Sequence, residues 1–328
     1  MENQDSFFTT TRTNLADLQQ AVAMVRNEIG KIIIGQDRVV DLLIAALLSD
    51  GHVLIEGVPG VAKTLTAKLL AKTVSVDFKR IQFTPDLMPS DVVGTSVFNQ
   101  KTSDFEFRYG PIFSNIVLID EINRAPAKTQ SALFEAMEER QVTVDGVTTP
   151  LSKPFMVVAT QNPVEQEGTY RLPEAQLDRF LFKINVDYPS LEHEIKIISD
   201  YHGRRNVNDL NAVSSVLTAE QLQYFREKVF GLHVDPNLII YIAQVVNQTR
   251  NNSALFLGAS PRASLALLTA SKAVAAMRGR DFVTPDDIKF VAEPVLQHRV
   301  ILTPEKEMEG LTAGEVVRQL IERVEIPR

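Results

Sequence analysis

The sequence predicts an α/β chain: a parallel five-stranded sheet covered by helices, followed by an all-helical domain. Two observations carry this. Five short β-rich runs, His52 to Glu56, Phe78 to Phe83, Ile116 to Ile119, Phe155 to Thr160 and Phe182 to Val186, are near-continuously apolar and separated by helical segments. That is the pattern of strands buried on both faces. From Pro189 onward only helical segments are read, which divides the chain into residues 1–189 and 190–328.

The elements follow in order. Thr13 to Ile33 carries Leu15, Leu18, Val22, Val25 and Ile29 at helical spacing, and a second helix runs from after Gln36 to Leu48. Gly35, between them, lets backbone approach something closely, either in a core turn or at the wall of an adenine pocket. Leu65 to Lys72 is helical. Pro85 to Phe113 is an inserted subelement, with a short helix at Pro89 to Val93 and strand-like pieces at Thr95 to Phe98 and Phe105 to Tyr109. Asp145-Gly146 turns a hairpin between Arg140 to Val144 and Val147 to Leu151, which either covers an edge or protrudes toward a partner. The later helices are Leu191 to Tyr201, Thr218 to Val229, Pro236 to Asn251, Ser260 to Arg278 and Thr284 to His298. Thr284-Pro285-Asp286-Asp287 is a strong helix start.

Bulk composition narrows the function. The chain has 328 residues, 45% apolar and 23% charged, enough for about two domains with sizeable cores. Its 34 basic and 41 acidic residues give a net charge of −7, which argues against a general nucleic-acid or anionic-membrane surface. Cys is absent, which removes disulfides, thiol nucleophiles and Cys-based metal sites. The polar start Met1 to Asp5 is unlike a signal peptide, and Leu42 to Leu48 is far short of the ~20 apolar residues that cross a bilayer. A cytoplasmic protein without a membrane span is expected.

Chemistry gathers at strand ends. Gly57-Val58-Pro59-Gly60-Val61-Ala62-Lys63-Thr64 sits between the first strand and a helix, the context of a phosphate-binding loop. Its glycines let backbone N–H groups turn toward a phosphate, and the helix start adds free amides. Lys63 can reach β- and γ-phosphates and Thr64 can ligate Mg²⁺. Alanine tolerates a helical start but not a left-handed turn, so the backbone at Ala62 is expected to be helical already. Ile116 to Ile119 ends in Asp120, placed to hold Mg²⁺ through water, and Glu121, placed to polarise an attacking water. The strand through Thr160 ends in Asn162, able to bond that water or the γ-phosphate. Arg179 either pairs with Asp178 at the surface or acts as an arginine finger on a neighbouring subunit. Arg262 opposes a helix dipole, either as a plain surface arginine or as one that reaches phosphate.

These motifs together resemble AAA+ ATPases and, within them, the MoxR family. The matching pieces are Gly57 to Thr64 with alanine before the lysine, Asp120-Glu121-Ile122-Asn123-Arg124-Ala125-Pro126, Ala159-Thr160-Gln161-Asn162-Pro163, and Gln166-Glu167-Gly168-Thr169-Tyr170 running on to Leu172 through Phe180. The resemblance covers about residues 31 to 300; Arg171 stands where the pattern has proline. It implies a Rossmann-like αβα P-loop NTPase domain with a helical lid, binding ATP and Mg²⁺. It implies Lys63 as Walker A lysine, Asp120 and Glu121 as Walker B pair, Asn162 as sensor 1, Arg179 as finger and Arg262 as sensor 2. The nucleotide-binding set is then Gly35, Gly57, Pro59, Gly60, Val61, Ala62, Lys63, Thr64, Leu65 and Arg262, with Thr64 and Asp120 at the metal. Family members look like hexameric chaperone ATPases that help mature or load metal or cofactor into partner complexes, often with proteins bearing a von Willebrand factor A domain. The insert and the Arg140 to Leu151 hairpin look like this clade's helix-2 insert and pre-sensor hairpin.

Three functions compete on the sequence. The first is a Mg²⁺-dependent ATPase acting on a protein client. The second is a ring motor acting on nucleic acid, disfavoured by the acidic balance. The third is an ATP-binding scaffold without turnover, disfavoured by the intact Glu121.

Overall fold

The computed structural model describes residues 14–162, 172–203 and 210–326. The stretch from Gln166 to Arg171, quoted above for its resemblance, lies outside the described residues.

Two helices come first, α1 (Ala16–Gly30) and α2 (Asp37–Leu48). Asn14 Oδ1 accepts the Ala16 N–H at 3.0 Å and satisfies an otherwise free amide of the first turn. α1 buries Leu18, Val22, Val25 and Ile29, the face set by a 3.6-residue period. α2 buries nine of its twelve residues, so it is wrapped on nearly all sides. Then follow β1 (Val53–Gly57), α3 (Lys63–Thr73), β2 (Phe78–Gln82) and α4 (Pro89–Val93). An antiparallel hairpin, β3 (Gly94–Asn99) with β4 (Asp104–Tyr109), precedes β5 (Ile116–Asp120), a 3-10 turn Ile122–Arg124 and α5 (Ala127–Glu139). A second hairpin pairs β6 (Gln141–Val144) with β7 (Val147–Pro150); Asp145 and Gly146 both take positive φ, as a tight two-residue turn requires. β8 (Met156–Gln161), α6 (Glu174–Leu177) and β9 (Phe182–Val186) complete this part.

The main sheet has five parallel strands in the order β2-β5-β8-β1-β9. Side chains alternate between its two faces. Val53, Ile55, Ile116, Leu118, Met156 and Val158 face a core shared with α1, α2 and α3. Leu54, Val117, Ile119, Val157 and Ala159 face a second core with Leu133, Phe134 and Met137 of α5. One expectation fails in part: β2 is not near-continuously apolar, because Lys79, Arg80 and Gln82 are exposed. β2 is an edge strand with a single partner, so burial asks less of it.

The remaining helices are α7 (Leu191–Gly203), α8 (Ala219–Phe230), α9 (Pro236–Arg250), α10 (Pro261–Met277) and α11 (Pro285–Leu296), then α12 (Pro304–Met308) and α13 (Ala313–Arg323). Asp287, fully buried, accepts the Thr284 N–H at 2.9 Å and pairs with Arg278 and Arg280, which fastens the start of α11. This part is a helical lid with one small ladder, β10 (Leu255–Leu257) against β11 (Ile301–Leu302). That ladder, α12 and α13 are absent from the elements expected from the sequence. α13 was legible: Thr312 and Glu315 form a capping box, and Val316, Val317, Leu320 and Ile321 are its buried stripe. Lid residues such as Tyr241, Leu267 and Val291 belong to the same core as α1 and α2. Among the described residues, no helix is long and apolar enough to cross a membrane.

His52, buried at the start of β1, ties this frame together. Its Nδ1 accepts the Val157 N–H at 2.9 Å, so its Nε2 carries the proton and donates to Met137 O at 3.1 Å. Burial, then the positive Arg140, push its pKa down to about 3. Burial and the Arg299 guanidinium likewise hold His298 well below the usual range. The unfolded chain binds protons at both sites below about pH 6.5 and the fold does not, so stability falls as pH drops below that value, for His52 until its folded pKa of about 3. The expected slope is up to about 1.4 kcal/mol per pH unit for each histidine. Urea midpoints at pH 7, 6 and 5 measure it, and His52→Gln should flatten it; a rise in stability on acidification would exclude buried neutral imidazoles.

Candidate active site

All five strands end at one rim, and the glycine loop rises from the end of β1 there. Gly57 is required by packing: a Cβ on it would come within 2.5 Å of the Val186 carbonyl on β9. Gly60 has φ 88°, open to glycine. Val61 is buried in the core, so it offers the loop only its backbone, while Pro59 is exposed. Because α3 begins at Lys63, the Lys63, Thr64 and Leu65 amides have no intrahelical acceptor. The Lys63 Nζ donates to Gly57 O at 2.6 Å and lies 3.4 Å from Gln161 O at the end of β8. It thereby spans the crevice between β1 and β8.

The acids lie across that crevice. Asp120 Oδ2 receives Thr64 Oγ1 at 3.4 Å and Arg80 Nε at 2.5 Å, and Oδ1 receives Thr160 Oγ1 at 3.0 Å. The Thr160 hydroxyl also accepts the Glu121 N–H at 3.1 Å. Glu121 sits in the left-handed region, φ 57° and ψ 53°, with its carboxylate 3.0 Å from Arg124 Nε. Asn162 is buried one residue past the end of β8. The structure therefore gathers Lys63, Thr64, Asp120, Glu121 and Asn162 at one rim. Among the described residues no group of three or more His, Cys, Asp or Glu can hold a metal. A cation here would draw on one hydroxyl, one carboxylate, waters and phosphate oxygens, a hard-oxygen set that suits Mg²⁺.

Two further features flank the loop. Gly35 has φ 74°, and a Cβ on it would meet the His193 ring of α7 at 2.4 Å. Gln36 Nε2 donates to Val61 O at 2.9 Å, fixing the Gly35 turn to the loop. A cavity of about 580 Å³ lies beside Glu56, Gly57, Val58, Asn185, Asp187 and Tyr188.

Arg179 and Arg262 are elsewhere, and together. Arg179 Nη2 is 2.9 Å from Glu138 Oε2, its Nη1 donates to Phe134 O, and its guanidinium lies over the Phe134 ring. Arg262 Nη2 is 3.0 Å from the other oxygen of Glu138. Glu138 lies in the last turn of α5, and the close of that helix touches the starts of strands: Met137 O meets His52, and Arg140, just past the helix, donates to Phe155 O. Arg179 itself precedes β9. The pair thus sits at the amino end of the sheet, away from the loop of its own chain. Arg262, expected in the nucleotide-binding set with Lys63, lies beside Arg179 in this chain.

Not expected from the sequence are the bridging role of Thr160 and the contacts of Arg80, Arg124, Glu138 and Arg299. Thr160 had a signal, a polar residue following Ala159 at a strand end just as Asp120 follows Ile119, the partner of Ala159. Arg80, Glu138 and Arg299 are surface-type charges whose partners are set by tertiary contact, while Arg124 pairs locally with Glu121 three residues before it. Arg299, 4% exposed, pairs with Asp178 at 2.7 Å and also donates to Phe180 O. Two exposed hairpins, β3–β4 and β6–β7, face each other across an apolar groove of about 580 Å³ lined by Phe105, Phe107, Tyr109, Val142, Val144 and Val147.

One expectation is overturned. Ala62 is not helical: its φ of 58° and ψ of 22° are left-handed. Such a turn costs an alanine about 1–2 kcal/mol, and the loop imposes it because the chain must reverse sharply to start α3 at Lys63. Ala62→Gly should therefore stabilise the fold by roughly 0.5–1 kcal/mol, after the extra flexibility glycine gives the unfolded chain. A urea titration checks this, and a clear loss of stability would contradict the left-handed placement.

Residues 52–182 match the ATPase family associated with various cellular activities (AAA), and residues 247–320 match the AAA lid domain. The chain is 48% identical to the uncharacterized protein YeaC of Bacillus subtilis (strain 168), over 95% of this chain and 96% of that one. It is 45% identical to chaperone MoxR1 of Mycobacterium tuberculosis (strain ATCC 25618 / H37Rv), over 92% of this chain and 81% of that one. A crystal structure of an ATPase candidate from Cytophaga hutchinsonii ATCC 33406 superposes with a TM-score of 0.88 at 42% identity, covering 96% of this chain and 97% of that one. With a phosphate loop, paired acids and a helical lid in this arrangement, and relatives this similar along nearly its whole length, the chain belongs to the MoxR family of AAA+ ATPases.

Proposed function

We propose that this protein hydrolyses ATP with Mg²⁺ in a head-to-tail homo-hexameric ring and uses the turnover to remodel or activate a protein client. The observation that carries the hydrolysis is the bonded convergence of Lys63, Thr64, Asp120, Thr160 and Glu121 on one rim. Lys63 exchanges the Gly57 carbonyl for β- and γ-phosphate oxygens, while the Gly60 to Leu65 backbone cradles the phosphates. Thr64 and Asp120 would hold Mg²⁺, which would neutralise phosphate charge. Glu121 turns from Arg124 to orient the attacking water and accept its proton, and Asn162 bonds that water or the γ-phosphate. Gly35 borders the adenine. The nucleotide-binding part then spans residues 1–189 and the lid 190–328.

Distance supports the ring. A five-residue strand is about 17 Å long, and it separates the phosphate loop from Arg179 and Arg262. Those arginines serve a triphosphate only if it belongs to a neighbour, and a contact between opposite ends of identical chains closes into a ring where the rotation between subunits returns on itself. Arg179 is then the finger and Arg262 its partner. The protein client is supported by similarity to a protein named chaperone MoxR1 and by the apolar hairpin groove; a von Willebrand factor A domain protein is the partner class the family suggests. The net charge of −7 does not favour nucleic acid.

Lys63→Ala should abolish ATP binding. Glu121→Gln should keep binding but lower turnover by about 10²–10⁴-fold, and it should capture the client when ATP is present. Turnover unaltered by Glu121→Gln removes that residue from its role. Salt-dependent affinity for DNA or RNA of ~10⁻⁶ M or tighter would replace the protein client with a nucleic acid.

A further inference from the structure

Glu138 joins two arginines that come from different parts of the chain. Its Oε2 is 2.9 Å from Arg179 Nη2, and its Oε1 is 3.0 Å from Arg262 Nη2. Behind it, Asp178 pairs with the buried Arg299 and accepts the Ser260 hydroxyl at 3.2 Å. Three guanidinium groups thus meet two carboxylates, and the cluster keeps a surplus positive charge. The lid is already fastened here by Arg299 and Ser260 on Asp178. The Glu138 bridge is more open, with Arg262 58% exposed, and an open ion pair adds little to stability. What the bridge does fix is geometry: each carboxylate oxygen takes one guanidinium, so two long side chains lie side by side.

We propose that Glu138 is the positioning residue that holds Arg179 and Arg262 as a pair, so that both engage one γ-phosphate of the neighbouring subunit together. This rests on the reading above that the two arginines act across a subunit boundary. Long cationic side chains left separate would have to be ordered anew at every catalytic cycle, and a slack arrangement stabilises a developing charge poorly. Glu138 orders them beforehand. It also does so from the end of α5, whose start is bonded to the turn after Glu121 through Gln130 Nε2 to Ile122 O at 3.1 Å and Ala125 O at 3.2 Å.

Mixed rings test this. Glu121→Gln subunits supply arginines but cannot hydrolyse; Arg179→Ala/Arg262→Ala subunits supply a working pocket but no arginines. An equal mixture should recover turnover that neither shows alone. Glu138→Gln added to the arginine-supplying subunit should lower the recovered kcat by about tenfold to a hundredfold, with KM for ATP altered less than about twofold. The same substitution added to the pocket-supplying subunit, which has no arginines to position, should leave kcat within about twofold. Equal losses in both placements, or no loss in the first, overturn the assignment. Failure of the parent mixture to recover turnover overturns the cross-subunit reading instead, and the assignment with it. Should Glu138→Gln not fold, Glu138→Asp, which keeps the charge and shortens the reach, is read by the same comparison.

Discussion

All five strands of the sheet run in one direction, and that constraint makes its two ends chemically unlike. The carboxyl end collects the loop after β1, the acids after β5 and the amide after β8. The amino end collects the turn before β9, the close of α5 and the first residues of α10. An antiparallel arrangement of the same strands would scatter the Lys63, Asp120 and Asn162 positions between both rims. Parallel order brings them within reach of one small ligand, at the crevice where the chain's connections diverge.

The rim is held by polar contacts that an apolar core could not supply. Thr160 uses its one hydroxyl twice, donating to Asp120 and accepting from the Glu121 amide. That bond fixes the backbone of Glu121 in a left-handed turn that a residue with a side chain rarely adopts. Ala62 is strained in the same sense on the facing loop. The two strained residues border the same crevice, and strain of this kind persists only where surrounding contacts over-determine it. Here the contacts are the strand pairing behind each residue and the lysine reaching from one side to the other.

The lid is joined to the sheet at both ends of its path. Tyr241, Leu267 and Val291 share a core with α1 and α2. Polar contacts add direction: Gln297 Nε2 donates to Lys183 O at 2.7 Å, and Arg299 pairs with Asp178 in a nearly buried setting. A buried ion pair is weak evidence of stability, since desolvation offsets much of its attraction, but removing one partner is costly. Its effect here is to set the register of the lid against the turn that carries Arg179. Arg262 follows, because Ser260 is bonded to the same Asp178.

How far the sequence reached depended on the range of each interaction. Strands, most helices, both hairpins, the phosphate loop and the paired acids were legible, because periodicity, turn chemistry and strand-end residues are local. α13 was equally local and was passed over, although Thr312, Glu315 and its apolar stripe mark it. The edge character of β2 was not local, since only the strand order exposes Lys79 and Arg80. The backbone at Ala62 was misjudged because an intrinsic preference worth about 1 kcal/mol was overruled by the demand to start a helix at Lys63. The meeting of Arg179 with Arg262 on Glu138 joins residues 41 and 124 positions apart in the chain, and no spacing encodes that. The sequence by itself determined which loop, acids and amide close the strands; the tertiary structure alone decided which end of the sheet each group occupies, because contacts between distant segments arise from packing and not from neighbouring residues.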